Sequence, residues 1–337
     1  MRCPDLQELP PPPPGKTGWP WTEASASLPN ARPDGIPWPR ISIVTPSFNQ
    51  AQFLEATLRS VLLQGYPDLE YFVLDGKSND GSVEIIKKYA PWLAYWVSER
   101  DGGQSAAINR GLTMSSGLLT TWINSDDMLY RDALVNHASQ IGFREGIVYV
   151  GDCHIIDERS RLLHVHRARV HNFEDLVRIR AIWRGEPRGY IVQPEVLFPR
   201  QLAQDAGGVD VRNHRTMDYD LWGRLLLSGA TVQYTQIPFG IFRQHTAQKT
   251  HQIWTQTRAL IDTAVTLLGQ APHLPEHTRE GFIADLYAYR REYWLETGPL
   301  ARVGLPENVV LRLRDIQASV RRRAANLLRG SREEHRG

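Results

Sequence analysis

The sequence predicts an α/β fold with a mainly parallel central sheet. Two observations carry this reading. Short β-rich runs alternate with amphipathic helical stretches from Ile41 onward, and polar segments containing glycine follow the strand-like runs. Ile41 to Pro46 is an apolar run closed by a proline, hence a strand. Gln50 to Gln64 sets Phe53, Leu54, Leu58, Val61 and Leu62 at helical spacing. Tyr71 to Leu74 is a second strand, and Ser82 to Tyr89 a helix with Val83, Ile86 and Tyr89 on one side. Ala94 to Val97 reads as a brief strand, Gln104 to Met114 as a helix and Leu118 to Ile123 as a buried strand.

The middle is more mixed. Ile147 to Val150 is strand-like, and Ile155-Ile156 with Leu162 to Val165 suggests a hairpin. Phe173 to Ile179 is a short helix and Asp218 to Leu227 an amphipathic one. Beyond Thr246 the pattern is helical. Ile253, Thr257, Leu260, Ile261, Ala264 and Leu268 share a face, as do Phe282, Leu286, Tyr289 and Tyr293, and later Ile316, Val320, Ala324 and Leu327. The expected organisation is a Pro/Trp-rich leader (1–40), an α/β domain (41–245, divided near 130) and a helical C-terminal extension (246–337).

Composition narrows the class. The chain has 337 residues, 42% hydrophobic and 23% charged, a balance that excludes global disorder. A formal charge of +2 argues against a nucleic-acid partner. The charge is uneven: Leu311 to Gly337 carries a net +5, leaving −3 for the rest. That basic C-terminal helix suits peripheral contact with an anionic membrane, or equally a solvated face. Two cysteines form no disulfide framework, which fits a reducing compartment. No run approaches the ~20 apolar residues that span a bilayer, and the Pro-rich N-terminus lacks a signal-peptide core, so a soluble cytoplasmic protein is expected. Pro10 to Pro14 excludes helix and favours a flexible leader, although Trp19, Trp21 and Trp38 argue that part of it packs on the body.

Four polar clusters follow predicted strands or open helices: Thr45 to Asn49, Asp75 to Ser82, Asp101 to Ser105, and Asn124 to Asp127. In a parallel sheet such loops converge at the carboxyl edge, where ligands bind. Gly76, Gly81, Gly102 and Gly103 let backbone approach a ligand. Asp75 can accept hydrogen bonds from a base or ribose. Asp126-Asp127 offers hard oxygen ligands for Mg²⁺ or Mn²⁺, a cation that would bridge the acids to a diphosphate. Taken singly, Asp75 and Asp80 also fit a turn, and Asp126-Asp127 a helix cap.

The stretches ISIVTPSFNQ, LDGKSNDGS, ERDGGQSAAINRG, WINSDD, GGVD, MDYDLW and FRQH, in this order between Ile41 and Lys249, resemble bacterial members of family 2 of the GT-A glycosyltransferases. The resemblance implies the GT-A fold, a UDP or GDP type nucleotide-sugar donor, a divalent metal and an inverting, hexosyltransferase-like transfer. It places Thr45, Pro46 and Asn49 in the nucleotide-binding segment and Asp75 against the base. It sets Asp101, Gln104 and Asn109 near ribose and diphosphate, with Asp126 and Asp127 in the metal motif and Asp127 the ligand. Asn124 stands where many relatives have Asp. His245 matches a late histidine that completes metal or diphosphate binding in some relatives; an ordinary histidine is the alternative. The implied acceptor is a glycan or lipid-linked hydroxyl in cell-envelope or exopolysaccharide synthesis.

The implied base is Asp218, next to Met217 where many relatives have Glu. Helical spacing supports it: Asp218 shares a face with Leu221, Trp222 and Leu225, whereas Asp220 lies about 200° round, four residues before Arg224. The helix dipole favours the Asp218 anion. Asp152, Gln193, Glu195 and Trp183 are candidate acceptor contacts. A nucleotidyltransferase and a non-catalytic nucleotide-sugar-binding protein are the competing readings.

Overall fold

The computed structural model describes residues 2–140, 143–185, 189–246, 248 and 253–297. The basic helix expected over 311–337, and with it the membrane reading, lies outside the described residues, as does the 316–327 face. By chain contacts the protein divides into two compact units, Met1–Leu286 and Tyr287–Gly337. In the described part of the second, Tyr289 and Tyr293, one helical turn apart, bring their rings to 5.8 Å.

The first half of the α/β unit runs β1 (Ile41–Ser47), α1 (Ala51–Leu62), β2 (Leu69–Asp75), α2 (Ser82–Tyr89), β3 (Tyr95–Ser98), α3 (Gln104–Met114), β4 (Leu119–Trp122), β5 (Met128–Leu129) and α4 (Ala133–Gln140). The second half adds β6 (Ile147–Asp157), β7 (Leu162–His166), α5 (Phe173–Val177), α6 (Ile179–Arg184), β8 (Val196–Pro199), α7 (Arg200–Asp205), α8 (Met217–Leu227) and β9 (Thr231–Gln244). Helices α9 (Ile253–Gly269) and α10 (Glu276–Thr297) follow.

The strands form one sheet in the order β3-β2-β1-β4-β8-β6-β9-β5, with β7 on β6. Strands β1 to β4 are parallel, as crossovers through helices require. Beyond β4 the sheet is mixed: β8 runs antiparallel to β4 and β6, while β6 and β9 are parallel. All seven residues of β1 are buried, the continuous pattern of a strand covered on both faces. Its register sets Ser47 beside Asp75, and Asp75 beside Ser98. Three loops therefore leave the sheet at one level.

The first strand of the second half, expected to end at Val150, runs on to Asp157, and β9, the longest strand among the described residues, is not anticipated by the sequence pattern. Pro238 and Gly240 interrupt the β9 pattern, as a proline rarely occupies a central strand. The structure accommodates them through register shifts on β6 between Val150 and Cys153. Two glycines allow the close crossing. A Cβ on Gly151 would lie 2.6 Å from the Ile237 carbonyl oxygen, and one on Gly240 2.2 Å from that of Pro194.

The leader is packed along the body, not free. Cys3, Leu9 and Trp38 join the main hydrophobic core. The backbone N–H groups of Cys3, Ser25 and Leu28 donate to the carbonyls of Tyr66, Leu63 and Gly65. Trp19 Nε1 donates to the Leu129 carbonyl at 3.0 Å. At the centre is Arg59 of α1, a charged residue with no exposed surface. Its guanidinium donates to the carbonyls of Pro20 (2.9 Å), Pro10 (2.8 Å) and Trp21 (2.9 Å) and to the Tyr89 hydroxyl (3.1 Å). Prolines lack an N–H, but their carbonyls remain acceptors that must be satisfied once buried. Among the described residues, no helix is long and apolar enough to cross a membrane.

Replacing Arg59 by Met keeps the stem and strands these carbonyls. Each buried acceptor left unpaired costs about 1–3 kcal/mol, so Arg59→Met is expected to lose about 3 kcal/mol or more in urea unfolding. Cleavage within residues 10–30 under limited proteolysis is expected to rise with it.

Candidate active site

The loops after β1 and β2 are zipped together by their own polar groups. The Asp75 carboxylate, almost fully buried, accepts from the Ser78 hydroxyl (2.5 Å), the Ser78 N–H (2.9 Å) and the Ser98 hydroxyl (2.6 Å). Asn49, in the left-handed region at φ 52°, donates its N–H to Ser78 Oγ and accepts the Asn79 N–H on Oδ1. Asp80 accepts the N–H groups of Ala51 and Ser82, anchoring the starts of α1 and α2. Asp101 Oδ1 accepts the Gly103 N–H at 2.8 Å and lies 3.4 Å from where a Cβ on Gly76 would stand. The result is a shallow rim of fixed dipoles with Phe48, 62% exposed, at its edge.

The second group sits beyond β4. Asp127 is buried and bridges both halves of the sheet. Its Oδ1 accepts the Arg243 backbone N–H at 3.0 Å, and its Oδ2 the Asn124 amide at 3.1 Å. Asn124 in turn accepts from Gln104 Nε2 (2.7 Å) and donates to Gln193 Oε1 (3.3 Å). Asn124 thus orients the acid beside it. Asp126 Oδ2 is 3.0 Å from His245 Nε2, and His245 packs on Phe53 with ring centroids 4.8 Å apart. The Arg243 guanidinium donates to the Asp126 carbonyl (3.1 Å) and lies over the Phe53 ring (4.8 Å).

Burial, and then the neighbouring Asp126 charge, push the Asp127 carboxyl well above the usual range. Such a carboxyl pair fits a dication: carboxylate oxygens with one imidazole suit Mg²⁺ or Mn²⁺. No cluster of three or more His, Cys, Asp and Glu side chains arranged to hold a metal occurs among the described residues.

Asp218 opens α8 and faces the same cavity. Its Oδ1 accepts the Tyr219 N–H at 2.8 Å. Burial raises its pKa, opposite to the helix-dipole expectation, because desolvation outweighs the dipole. Asp220 instead pairs with Arg224 at 2.8 Å, and the Ser105 hydroxyl donates to the Met217 sulfur at 2.9 Å.

One cavity of about 1790 Å³ gathers Pro46, Asn49, Asp101, Gln104, Asp126 and Asp127. His245, Gln193, Trp183 and Asp218 line the same space. Asp75 lines a smaller adjoining cavity of about 220 Å³ that shares Arg100, Asp101 and Ala107 with the large one.

Besides Asp75, four expected site residues are not on the wall of the large cavity. Thr45 is bonded to the Tyr71 hydroxyl at 2.9 Å behind β1. Asn109 spends its amide on the Val209 backbone in both directions, at 2.7 and 2.8 Å. Asp152 is paired with Arg167 at 2.9 Å. Glu195 is fully buried, accepts the Val192 N–H at 2.8 Å, and burial pushes its carboxyl well above the usual range. Each is a polar side chain claimed by another group of the protein: the Tyr71 hydroxyl for Thr45, the Val209 backbone for Asn109, the Arg167 guanidinium for Asp152 and the Val192 N–H for Glu195, a competition spacing does not show. Phe48 and Arg243 were not singled out by sequence reasoning, although both stand inside quoted motifs, TPSFNQ and FRQH.

Residues 42–206 match Glycosyl transferase family 2. The uncharacterized glycosyltransferase RT0329 of Rickettsia typhi is 26% identical over 221 residues, covering 65% of this chain and 68% of that protein. An uncharacterized glycosyltransferase of Rickettsia felis is 28% identical over 202 residues, 58% of this chain and 33% of that protein. The matched region is thus about a third of the R. felis protein's length. Among solved structures, S. aureus TarS 1–349 in complex with UDP-GlcNAc shares the fold at a TM-score of 0.58 and 15% identity, over 78% of this chain and 77% of that one. Mannosyltransferase PcManGT from Pyrobaculum calidifontis in complex with GDP-Man and Mn²⁺ does so at 0.50 and 18%, over 90% and 84%. Motif order, matched stretch and a shared GT-A fold agree: residues 42–206 of the chain carry a glycosyltransferase family 2 region.

Proposed function

We propose that the protein transfers a sugar, with inversion, from a UDP or GDP type nucleotide sugar to an acceptor hydroxyl, in the cytoplasm and in the assembly of a cell-envelope glycan. The observation that carries this reading is that Asp218 and the Asp126-Asp127 pair line one cavity from opposite halves of the sheet. The loop rim of Asn49, Ser78 and Asp101 binds the nucleoside, with Phe48 as an aromatic face for the base and the Asp75 carboxylate holding the loop. Asp127, Asp126 and His245 would hold a divalent cation, which when bound neutralises charge on the leaving diphosphate. Gln104 and Gln193 fix Asn124, and Asn124 with the Arg243 N–H fixes Asp127.

Asp218 accepts the proton of the acceptor hydroxyl. As the oxygen attacks the anomeric carbon from the face opposite the diphosphate, the new glycosidic bond forms while the carbon–oxygen bond to the phosphate breaks. A carboxylate partly withdrawn from water is a stronger base than an exposed one, so the raised pKa serves the reaction.

Asp218→Asn is expected to lower kcat by about 10²–10⁴-fold while Mn²⁺-dependent UDP or GDP binding, measured calorimetrically, is retained. Equal turnover in mutant and wild type refutes the base. The base works only when ionised, so kcat/KM falls as pH drops through its raised pKa. The acid limb of the pH profile is therefore expected above the ordinary aspartate value of 3.8, and absent from the residual activity of Asp218→Asn. Asp127→Asn is expected to remove the Mn²⁺ dependence of nucleotide binding; binding that still responds to EDTA as in wild type overturns the assignment.

A further inference from the structure

The leader, residues 1–40, lies ahead of β1, and none of its described residues lines either cavity. One stretch of it, Trp19 to Ser25, nevertheless falls on the residues directly after Asp126 and Asp127. Trp19 Nε1 donates to the Leu129 carbonyl at 3.0 Å. Glu23 pairs with Arg131 at 2.9 Å, and the Ser25 hydroxyl accepts the Asp132 N–H at 2.9 Å. The rings of Trp19 and Trp21 pack against a buried cluster of Ala56, Met128, Ile156 and Ile241. Met128 is the residue after Asp127, and Ile241 stands two residues before Arg243, whose N–H holds Asp127.

This contact closes an edge. Strand β5 has two residues, Met128 and Leu129, and pairs with β9 on one side. The Leu129 N–H goes to the Ser60 hydroxyl of α1 at 3.1 Å, and its carbonyl takes the Trp19 indole. Helix α1 and the leader thus stand in for the strand that β5 lacks on its outer side. A second route reaches the same turn through α1. Arg59 holds the carbonyls of Pro20 and Trp21, and two residues earlier the Thr57 hydroxyl donates to the carbonyls of Ser125 (3.0 Å) and Asp127 (2.6 Å).

We propose that Trp19 is a positioning residue for the divalent-cation site: the leader, docked on β5 and α1, holds the Asp126-Asp127 turn in place for the cation. The inference rests on the cation assignment in the transferase reading above and adds the segment that keeps the acid turn in register. Two like charges on adjacent residues, one of them fully buried, push the turn apart unless it is braced from behind. The brace has a reciprocal consequence. If the docked leader favours cation and nucleotide, then bound cation and nucleotide favour the docked leader by the same factor. Trp38 supplies the contrast. Its indole donates to the Pro29 carbonyl at 2.8 Å and its ring packs on Tyr66 at 6.4 Å, so it stabilises the leader on another part of the body.

Calorimetry on the full chain with UDP or GDP, titrated with Mn²⁺, separates this role from plain stabilisation. Trp19→Leu and Trp38→Leu are both expected to lower the urea midpoint. The Mn²⁺ concentration that half-saturates nucleotide binding is expected to rise about five-fold or more in Trp19→Leu and to stay at the wild-type value in Trp38→Leu. If Trp19→Leu loses its unfolding transition, Trp19→Phe, which keeps a ring and lacks the N–H, makes the same comparison. Wild-type protein gives a second readout that needs no substitution. Limited proteolysis within residues 10–30, followed as release of the otherwise intact chain, is expected to slow about five-fold or more when Mn²⁺ and nucleotide are added together, and EDTA is expected to restore the original rate. An unchanged Mn²⁺ requirement in the Trp19 variants, an equal rise in Trp38→Leu, or cleavage indifferent to Mn²⁺ and nucleotide overturns the inference and leaves the transferase reading standing. Wild-type binding of UDP and GDP that never responds to Mn²⁺ refutes the cation assignment itself, and the role of the leader with it.

Discussion

The hydrogen bond from the Arg243 backbone N–H to Asp127 Oδ1 joins residues 116 positions apart. It fastens the end of β4, in the parallel half of the sheet, to the end of β9, in the mixed half. The acid pair, His245 and the Arg243 guanidinium depend on that closure for their positions. Nothing in the first half alone could hold Asp127 buried beside Asp126, because the two charges repel and burial raises the cost further. The energy of folding the second half against the first keeps this carboxyl pair together.

The same logic runs through the rest of the site. Asn124 is a neutral connector that both accepts and donates, so it links Gln104, Gln193 and Asp127 without adding charge. Asp75 lies behind the rim with three donors on its carboxylate, and its work is to shape the loop. Asp218 stands apart from these networks, with a backbone N–H on one oxygen.

Stability and function meet at α1. Its buried face carries Arg59, which gathers the leader, and Thr57, whose hydroxyl donates to the carbonyls of Ser125 and Asp127. Phe53, two turns earlier than Arg59, carries both Arg243 and His245 on its ring. One helix thus braces the leader, the acid turn and the end of β9. A leader that merely solubilised the chain would have no need to satisfy a buried guanidinium.

Much of the parallel half was legible in the sequence. The continuous apolar run of β1, the helical spacing of α1 to α3 and the glycine-loosened turns are local patterns, and in a parallel sheet local patterns already say at which edge the loops meet. That the acid turn and Asp218 stand at a strand end and a helix start was legible too, and both line one cavity. β9 was not, because Pro238 and Gly240 break the pattern that identifies a strand and only the bulges on β6 restore its pairing. Thr45, Asn109, Asp152 and Glu195 carry plausible site chemistry, yet other groups of the protein claim them, as far off in sequence as Val209 is from Asn109. The sequence by itself determined which residue types stand at the strand ends and that those ends share an edge. Only the tertiary structure decided which polar groups are spent internally and which face the cavity, since hydrogen-bond competition and burial are settled by neighbours that lie tens to hundreds of residues away.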